Sequence, residues 1–338
     1  MVKKLNYLLP THQSPDGHGG TVWSSLSASG GRSTESRIGR GHLTLRRASQ
    51  KRFVLAAVIF VLLAAAAFFV ALALLKSAPK DLRVTVLDVG QGDAIFVEFP
   101  SGSRWLIDGG PDEGVVSQID RLIAISDRRL TGVILTHPHA DHVTGLIHIL
   151  RRYKVEKALL PSATHTTSEY LTFLKELRAQ NIQTTPVNHP FVWSGSEGQT
   201  SWRWEFFYPE RDFTEPVQDL NAVSVVSRLT FGEQSFLFMG DAPVEVEKLL
   251  MAEGRNLRAA VLKVGHHGSA SSTSDDFLGV VRPQYAVISA GAGNPFGHPA
   301  PATLKRLQAF GAHTYRTDKH GWIQFKTDGK TLTISSAR

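Results

Sequence analysis

The chain has 338 residues, a formal net charge of +7 and no cysteine, so disulfides and thiolate metal sites are excluded. The basic charge sits at one end: residues 1–80 hold 11 Lys and Arg against 2 Asp and Glu, and the rest holds 26 against 28. The basic pI therefore gives no argument for nucleic-acid binding by the larger, slightly acidic part.

Residues 1–52 are rich in Gly, Ser, Thr and Arg, lack sustained periodicity and read as a disordered basic segment. His12, His18 and His42 lie there and receive no role. Phe53 to Leu75 is an uncharged run of 23 residues, long enough to span a bilayer as a helix. Arg37, Arg40, Arg46, Arg47, Lys51 and Arg52 precede it closely; Lys76, Lys80 and Arg83 follow, with Asp81 among them. The positive excess predicts a cytoplasmic N-terminus and places the remainder outside the cytoplasm, at the cell membrane. About fifty residues precede the apolar run and Lys76-Ser77-Ala78-Pro79 is a weak cleavage site, which favours an uncleaved single-pass anchor over a signal peptide.

From Leu82 the pattern changes to short apolar runs between turns. Arg83–Val89, Ala94–Phe99 and Arg104–Ile107 read as strands, the last two joined by the turn Pro100-Ser101-Gly102-Ser103. A helix is expected over Val115–Ile125, then a buried strand at Gly132–Leu135. That strand runs into Thr136-His137-Pro138-His139-Ala140-Asp141-His142, read as a loop, with a helix starting at Thr144. Strands follow at Lys157–Leu160, Ser201–Tyr208, Ala222–Phe231, Ser235–Met239, Ala259–Val264 and Tyr285–Ser289. Helices are expected at Ser168–Ala179, after Pro243, at Ser274–Val281 and at Ala302–Phe310, with three short strands at the end. Strand runs alternating with helices suggest two β-sheets with helices outside.

Three histidines and an aspartate within six positions at a strand end are the donors that suit zinc and similar divalent ions. The arrangement recurs: a strand ends and a ligand type follows at Asp241 and at His266/His267. Strand ends gathered on one rim would bring these groups together.

The segment His137-Pro138-His139-Ala140-Asp141-His142 resembles the H-x-H-x-D-H signature of the metallo-β-lactamase superfamily. Val86–Asp93, Asp108-Gly109-Gly110, Leu262–Ser269 and Gly297-His298-Pro299 are together similar to the soluble domain of ComEC-type DNA-uptake proteins, over roughly residues 82–335. That group carries a many-helix channel region where this sequence has one span. The resemblance implies an α/β, four-layer αββα sandwich over 82–338, preceded by one transmembrane helix, and a site for two divalent cations, zinc first and manganese second. By this resemblance His137 and His139 bind the first ion, Asp141, His142 and His266 the second, and Asp241 bridges. A third histidine for the first ion is missing: His148, His165 and His189 follow no strand end, and Asn221, in Asp219–Ser224, is the substitute.

The implied activity is hydrolysis of a phosphodiester, with DNA as substrate and nuclease action outside the cytoplasm. Paired cations would acidify water for attack on phosphorus. Asp141 and Asp241 would hold the resulting hydroxide and take up its remaining proton. Lys263 pairs with a phosphate or neutralises local carboxylates, and His298 is a general acid or substrate contact. His267 is expected to point away from the ions, and Asp88, Asp93 and Asp108 to tie loops together. His313 and His320 are read as structural. Hydrolysis of a cell-envelope phosphoester and a non-enzymatic tethered role in DNA-uptake machinery are the alternatives.

Overall fold

Short apolar runs of the kind found after Leu82 are stable only when both faces of each sheet are covered. The computed structural model describes residues 39–77, 81–124, 126–163, 165–213 and 217–338. By packing, the chain divides into Met1–Ala73 and Leu74–Arg338. Helix α1 (Gly39–Ser77) begins well before Phe53, because Leu43 to Arg52 is made largely of helix-favouring Leu, Arg, Ala, Gln and Lys. The expectation of disorder fails for that stretch and otherwise lies outside the described residues. Within α1, Lys51–Val70 is apolar and long enough to cross a membrane, and it is exposed.

The second unit opens with β1 (Leu82–Val86), β2 (Ile95–Glu98), β3 (Arg104–Ile107), α2 (Gly114–Asp120) and β4 (Arg129–Ile134). There follow α3 (Ala140–Arg152), β5 (Lys154–Pro161), α4 (Ser168–Ala179), β6 (Gln183–Val187), β7 (Phe191–Glu197) and β8 (Thr200–Tyr208). A 3-10 turn at Leu220–Val223 precedes β9 (Val226–Phe231), β10 (Gln234–Phe238), α5 (Val244–Ala252) and β11 (Val261–Lys263). After a second such turn at Gly265–Gly268 come α6 (Asp275–Val281), β12 (Tyr285–Ile288), α7 (Pro301–Ala309), β13 (His313–Arg316) and α8 (Thr317–His320). The chain closes with β14 (Ile323–Thr327) and β15 (Leu332–Ser336).

Two sheets result, in the orders β15-β14-β1-β2-β3-β4-β5-β6 and β13-β12-β11-β10-β9-β8-β7. Val84, Phe236, Trp204 and Phe325 fill the space between them. Val115, Leu146 and Phe173 pin α2, α3 and α4 to the outside of the first sheet, and Val246, Phe277 and Leu307 pin α5, α6 and α7 to the second. This is the four-layer α/β arrangement, helices outside two facing sheets, that the sequence led us to expect. The α3 helix starts at Ala140 rather than Thr144, so Asp141 and His142 lie in its first turn. In each sheet three or more strands run parallel, β3 to β6 and β10 to β13. Loops beyond the carboxyl ends of parallel strands are where such sheets place ligands. Asp108, His137, Asp241 and His267 all follow such ends.

One close approach fixes this rim. Gly109 donates its amide to His142 O at 2.8 Å, and Gly145 donates to Gly110 O at 3.0 Å. A Cβ on Gly145 would lie 1.8 Å from Gly109 O, so α3 can meet the Asp108-Gly109-Gly110 turn only without a side chain there. Gly145→Ala is therefore expected to lower stability by roughly 1–3 kcal/mol, measured as the urea midpoint. An unchanged midpoint would show that the turn has room to yield.

Candidate metal centre

At the rim, His137 and His142 are fully buried, as are the carboxylates of Asp93 and Asp108; Asp241 and His267 are nearly so. His139 and Asp141 are partly open. Asp241 Oδ2 lies 3.9 Å from His137 Nε2, 3.4 Å from His142 Nε2 and 3.3 Å from His267 Nε2. Asp141 Oδ2 lies 3.8 Å from His142 Nε2 and 3.4 Å from His267 Nε2. His137 Nε2 and His139 Nδ1 face each other at 2.9 Å. Overlapping donor groups result, His137 with His142 and Asp241, Asp141 with His142 and His267, and Asp93 with Asp241 and His267, and His139 stands against His137 at their edge.

The outer nitrogens of the buried histidines are held, and this orients the rings. Asp108 accepts from Thr136 N and Thr136 Oγ1, both at 2.7 Å, and stands 2.8 Å from His142 Nδ1. Because Thr136 Oγ1 donates to Asp108, it accepts from His137 Nδ1 at 3.0 Å. His267 Nδ1 meets Ser289 O at 3.2 Å and Asp93 Oδ1 at 3.5 Å. These partners assign the proton to Nδ1 of His137, His142 and His267 and leave each Nε2 as the inward lone pair.

The electrostatics favour positive charge at the centre of the cluster. His142 Nε2, His267 Nε2 and Asp241 Oδ1 are buried without a hydrogen-bond partner. Burial opposes charge on His142 and His267, yet Asp241 above all carries both well above the usual histidine range. Burial also opposes charge on Asp241, but His267 and His142 hold its carboxyl well below the usual carboxylate range. Burial works in the same direction on Asp141, and His267 and His142 hold it at about 2. Four carboxylates meet here, Asp93, Asp108, Asp141 and Asp241. Among the described residues the one Lys or Arg within ion-pair distance of any of them is Lys263. Buried carboxylates need compensating charge. Inward-facing nitrogen and oxygen atoms with a surplus of negative charge fit divalent cations, and the same residues form the potential metal groups of the cluster.

Several expected positions are redrawn. His266 was expected inside and His267 outside, and the order is the reverse. His266 is 26% exposed, with Nε2 3.9 Å from Asp241 Oδ2, while His267 is 2% exposed. The strand ends at Lys263, and both histidines adopt left-handed backbone, φ 47° and 52°, so strand alternation no longer decides which side chain turns inward. Two successive left-handed non-glycine residues are strained, as functional loops often are.

Lys263 does not face open space. It is fully buried, 2.8 Å from Asp93 Oδ2, and donates to Val264 O at 3.0 Å; of its two expected roles, neutralising a carboxylate is the one its position serves. Asp93 and Asp108, read as loop ties, stand directly behind His267 and His142. Their spacing from those histidines along the chain gave no hint of this.

His298 lies at the rim, its ring 5.6 Å from that of His266, and its Nδ1 is buried without a partner. Among the described residues, none of the three histidines considered as a further donor beside His137 and His139 reaches them. His165 contacts Thr167, His189 contacts Asn188, and His148 sits on the α3 helix outside the potential metal groups. Asn221 Oδ1 is buried and unpartnered on the 3-10 turn before β9, and Asp219, which accepts from Asn221 N at 3.0 Å, bears on the charge of His139.

The family model of the metallo-beta-lactamase superfamily matches residues 87–292. ComE operon protein 3 of Bacillus subtilis (strain 168) is 30% identical over 270 residues, covering 75% of this chain and 34% of its own length. Competence protein ComA of Neisseria gonorrhoeae is 30% identical over 255 residues, 73% of this chain and 32% of its own. The chain thus spans about a third of the length of these relatives. Among solved structures, the metallo-beta-lactamase fold protein YhfI from Bacillus subtilis aligns at 11% identity and TM-score 0.48, over 73% of this chain and 99% of that one.

Proposed function

The chain belongs to the metallo-β-lactamase superfamily, and on that premise we propose that residues 82–338 form a metal-dependent phosphodiesterase, a nuclease acting on DNA outside the cytoplasm and tethered to the membrane by α1. The observation that carries this reading is the set of unpartnered inward atoms on His142, His267 and Asp241 beside His137 and Asp141. The similarity to competence proteins supports DNA as substrate and the DNA-uptake machinery as partner.

His137, His139 and Asp241 would hold one cation, with Asn221 as a further donor, and Asp141, His142, His267 and Asp241 a second. Zinc suits this histidine-rich set, and manganese is compatible with it. Such ions would supply the positive charge that acidifies water and stabilises a phosphoryl oxygen during in-line displacement. Asp141 is the carboxylate that incoming water can reach, its side chain 33% exposed while Asp241 is sealed at 3%, and it would orient that water as a hydrogen-bond acceptor. Burial, and then His266, lower the affinity of His298 for a proton. A neutral imidazole at the rim serves as a hydrogen-bond donor to a substrate oxygen better than as a proton source. Asp108 and Thr136 keep His137 and His142 in the tautomers that leave Nε2 free.

The test is cleavage of single- and double-stranded DNA and of a chromogenic phosphodiester by the full chain. Chelator-stripped protein is compared with protein given back zinc or manganese, beside an Asp141→Ala/His142→Ala variant. Cleavage that requires metal and disappears in the variant is expected. Full metal loading without cleavage of any phosphodiester would sink the reading. Hydrolysis of the chromogenic diester alone would turn it toward an envelope phosphoester. Less than one ion per chain would turn it toward a non-enzymatic component.

A further inference from the structure

Outside α1, Phe296 is the most exposed large apolar side chain among the described residues, at 65%. It sits on the loop between β12 and α7, at the rim of the metal centre. One face of its ring stacks on His298, with centroids 6.0 Å apart and planes inclined by 21°. His298 in turn lies against His266, whose Nε2 is 3.9 Å from Asp241 Oδ2. A ladder of rings thus leads from solvent to the donors of the cluster.

The loop that carries Phe296 is built to hold still. Asn294 Nδ2 donates to Gly291 O at 2.9 Å and to His298 O at 2.6 Å. Its Oδ1 accepts from Phe296 N at 3.2 Å and His298 N at 3.0 Å. All four hydrogen-bonding positions of one amide are used inside a single turn. Gly291 N donates to Gln91 Oε1 at 3.2 Å, which ties this turn to the loop carrying Asp93. A single exposed apolar residue needs no explanation in general. A bare phenyl ring presented by a fully hydrogen-bonded turn beside a cation-binding cluster is different, because its contact face is already ordered and little entropy is lost when a flat ligand stacks on it.

We propose that Phe296, backed by His298, is a stacking platform for an unpaired nucleobase next to the scissile phosphate, so that the substrate is single-stranded nucleic acid or a frayed end. This rests on the phosphodiesterase reading above and narrows its substrate. Bases in duplex interiors have both faces covered by their neighbours, whereas an unpaired base offers a free π-face that aromatic side chains accept regardless of sequence. The residues from Asp81 onward carry a slight excess of acidic groups, which weakens the phosphate attraction that duplex binding depends on. A stacking contact supplies affinity that this charge balance does not.

The test measures fluorescence-anisotropy binding of a short labelled single strand, and of an equally long strand with abasic sites, to the full chain held in chelator. Wild type, Phe296→Ala and Phe296→Trp are compared, together with their metal-dependent cleavage of both strands. Phe296→Ala is expected to bind the base-bearing strand about tenfold more weakly while binding the abasic strand unchanged, and Phe296→Trp to retain tight binding. Equal affinities of wild type and Phe296→Ala for the base-bearing strand, or equal losses on both strands, overturn the stacking platform and leave the nuclease reading standing. A wild-type chain that neither binds nor cleaves either strand overturns both. The ring is solvent-exposed, so matching thermal midpoints are expected for all three proteins and confirm that only the surface has changed.

Discussion

His267→Ala is expected to weaken divalent-metal binding by on the order of a hundredfold or more and to remove metal-dependent turnover, while His266→Ala keeps the metal. Removing even an outer partner of a metal-binding histidine costs about 10–100-fold in affinity, so removal of an inward nitrogen should cost at least as much. His267 Nε2 stands 3.3 Å from Asp241 and 3.4 Å from Asp141 and makes no hydrogen bond. Its truncation leaves one donor group with a single histidine, His142. His266 offers its nitrogen from farther out and from a quarter-exposed position. Its loss should affect the rim contact with His298 before it affects the ions. Calorimetric titration of the stripped proteins with zinc separates the two cases. If His266→Ala loses the metal and His267→Ala holds it, the left-handed turn at Gly265–Gly268 does not direct these side chains as described.

The same turn shows where the sequence was readable and where it was not. Arg104–Ile107 and Ser168–Ala179 were marked by apolar periodicity and turn residues alone, and they appear with those boundaries. The cluster from His137 to His142 was legible because four ligand-type side chains fall within six positions, a local fact that needs no fold. The β6 and β7 strands were not legible: Gln183–Val187 lies at a sheet edge with little buried surface and a proline, and Phe191–Glu197 ends in small polar residues. Edge strands carry weak alternation because one side has nothing to pack against. The tasks of Asp108 and Asp93 were hidden for another reason. Each acts on a histidine far along the chain, 34 residues away for Asp108 and His142, and only the pairing of strands brings them together. The inward choice between His266 and His267 depends on backbone dihedrals that a strand-to-loop reading cannot supply.

Lys263→Met is expected to lower the stability of the metal-free protein by about 3–5 kcal/mol near pH 7, the loss typical of removing one partner of a buried ion pair. Lys263 and Asp93 are both 1% exposed, 2.8 Å apart. Burial opposes the charge on Asp93, yet Lys263 first, then His267, hold its carboxyl below the usual carboxylate range. In the wild type this pair therefore stabilises the fold above the unfolded carboxylate pKa of about 3.9, and that contribution is lost only as pH falls through the lower folded value. Without Lys263 the balance shifts toward burial, which raises the carboxyl. The ionised form then becomes the destabilised one, so the deficit of the variant should shrink as pH falls from 7 toward 5. Urea midpoints of wild type and variant at both pH values measure this. A second variant, Lys263→Met/Asp93→Asn, should recover most of the loss, since neither charge is then left alone. A deficit that is the same at both pH values and is not recovered by the double change would mean that the lysine acts through packing of its chain. The expected pattern would instead make Lys263 the fixed positive charge that keeps Asp93 ionised behind His267, a supporting role that accounts for a lysine placed where no substrate can reach it.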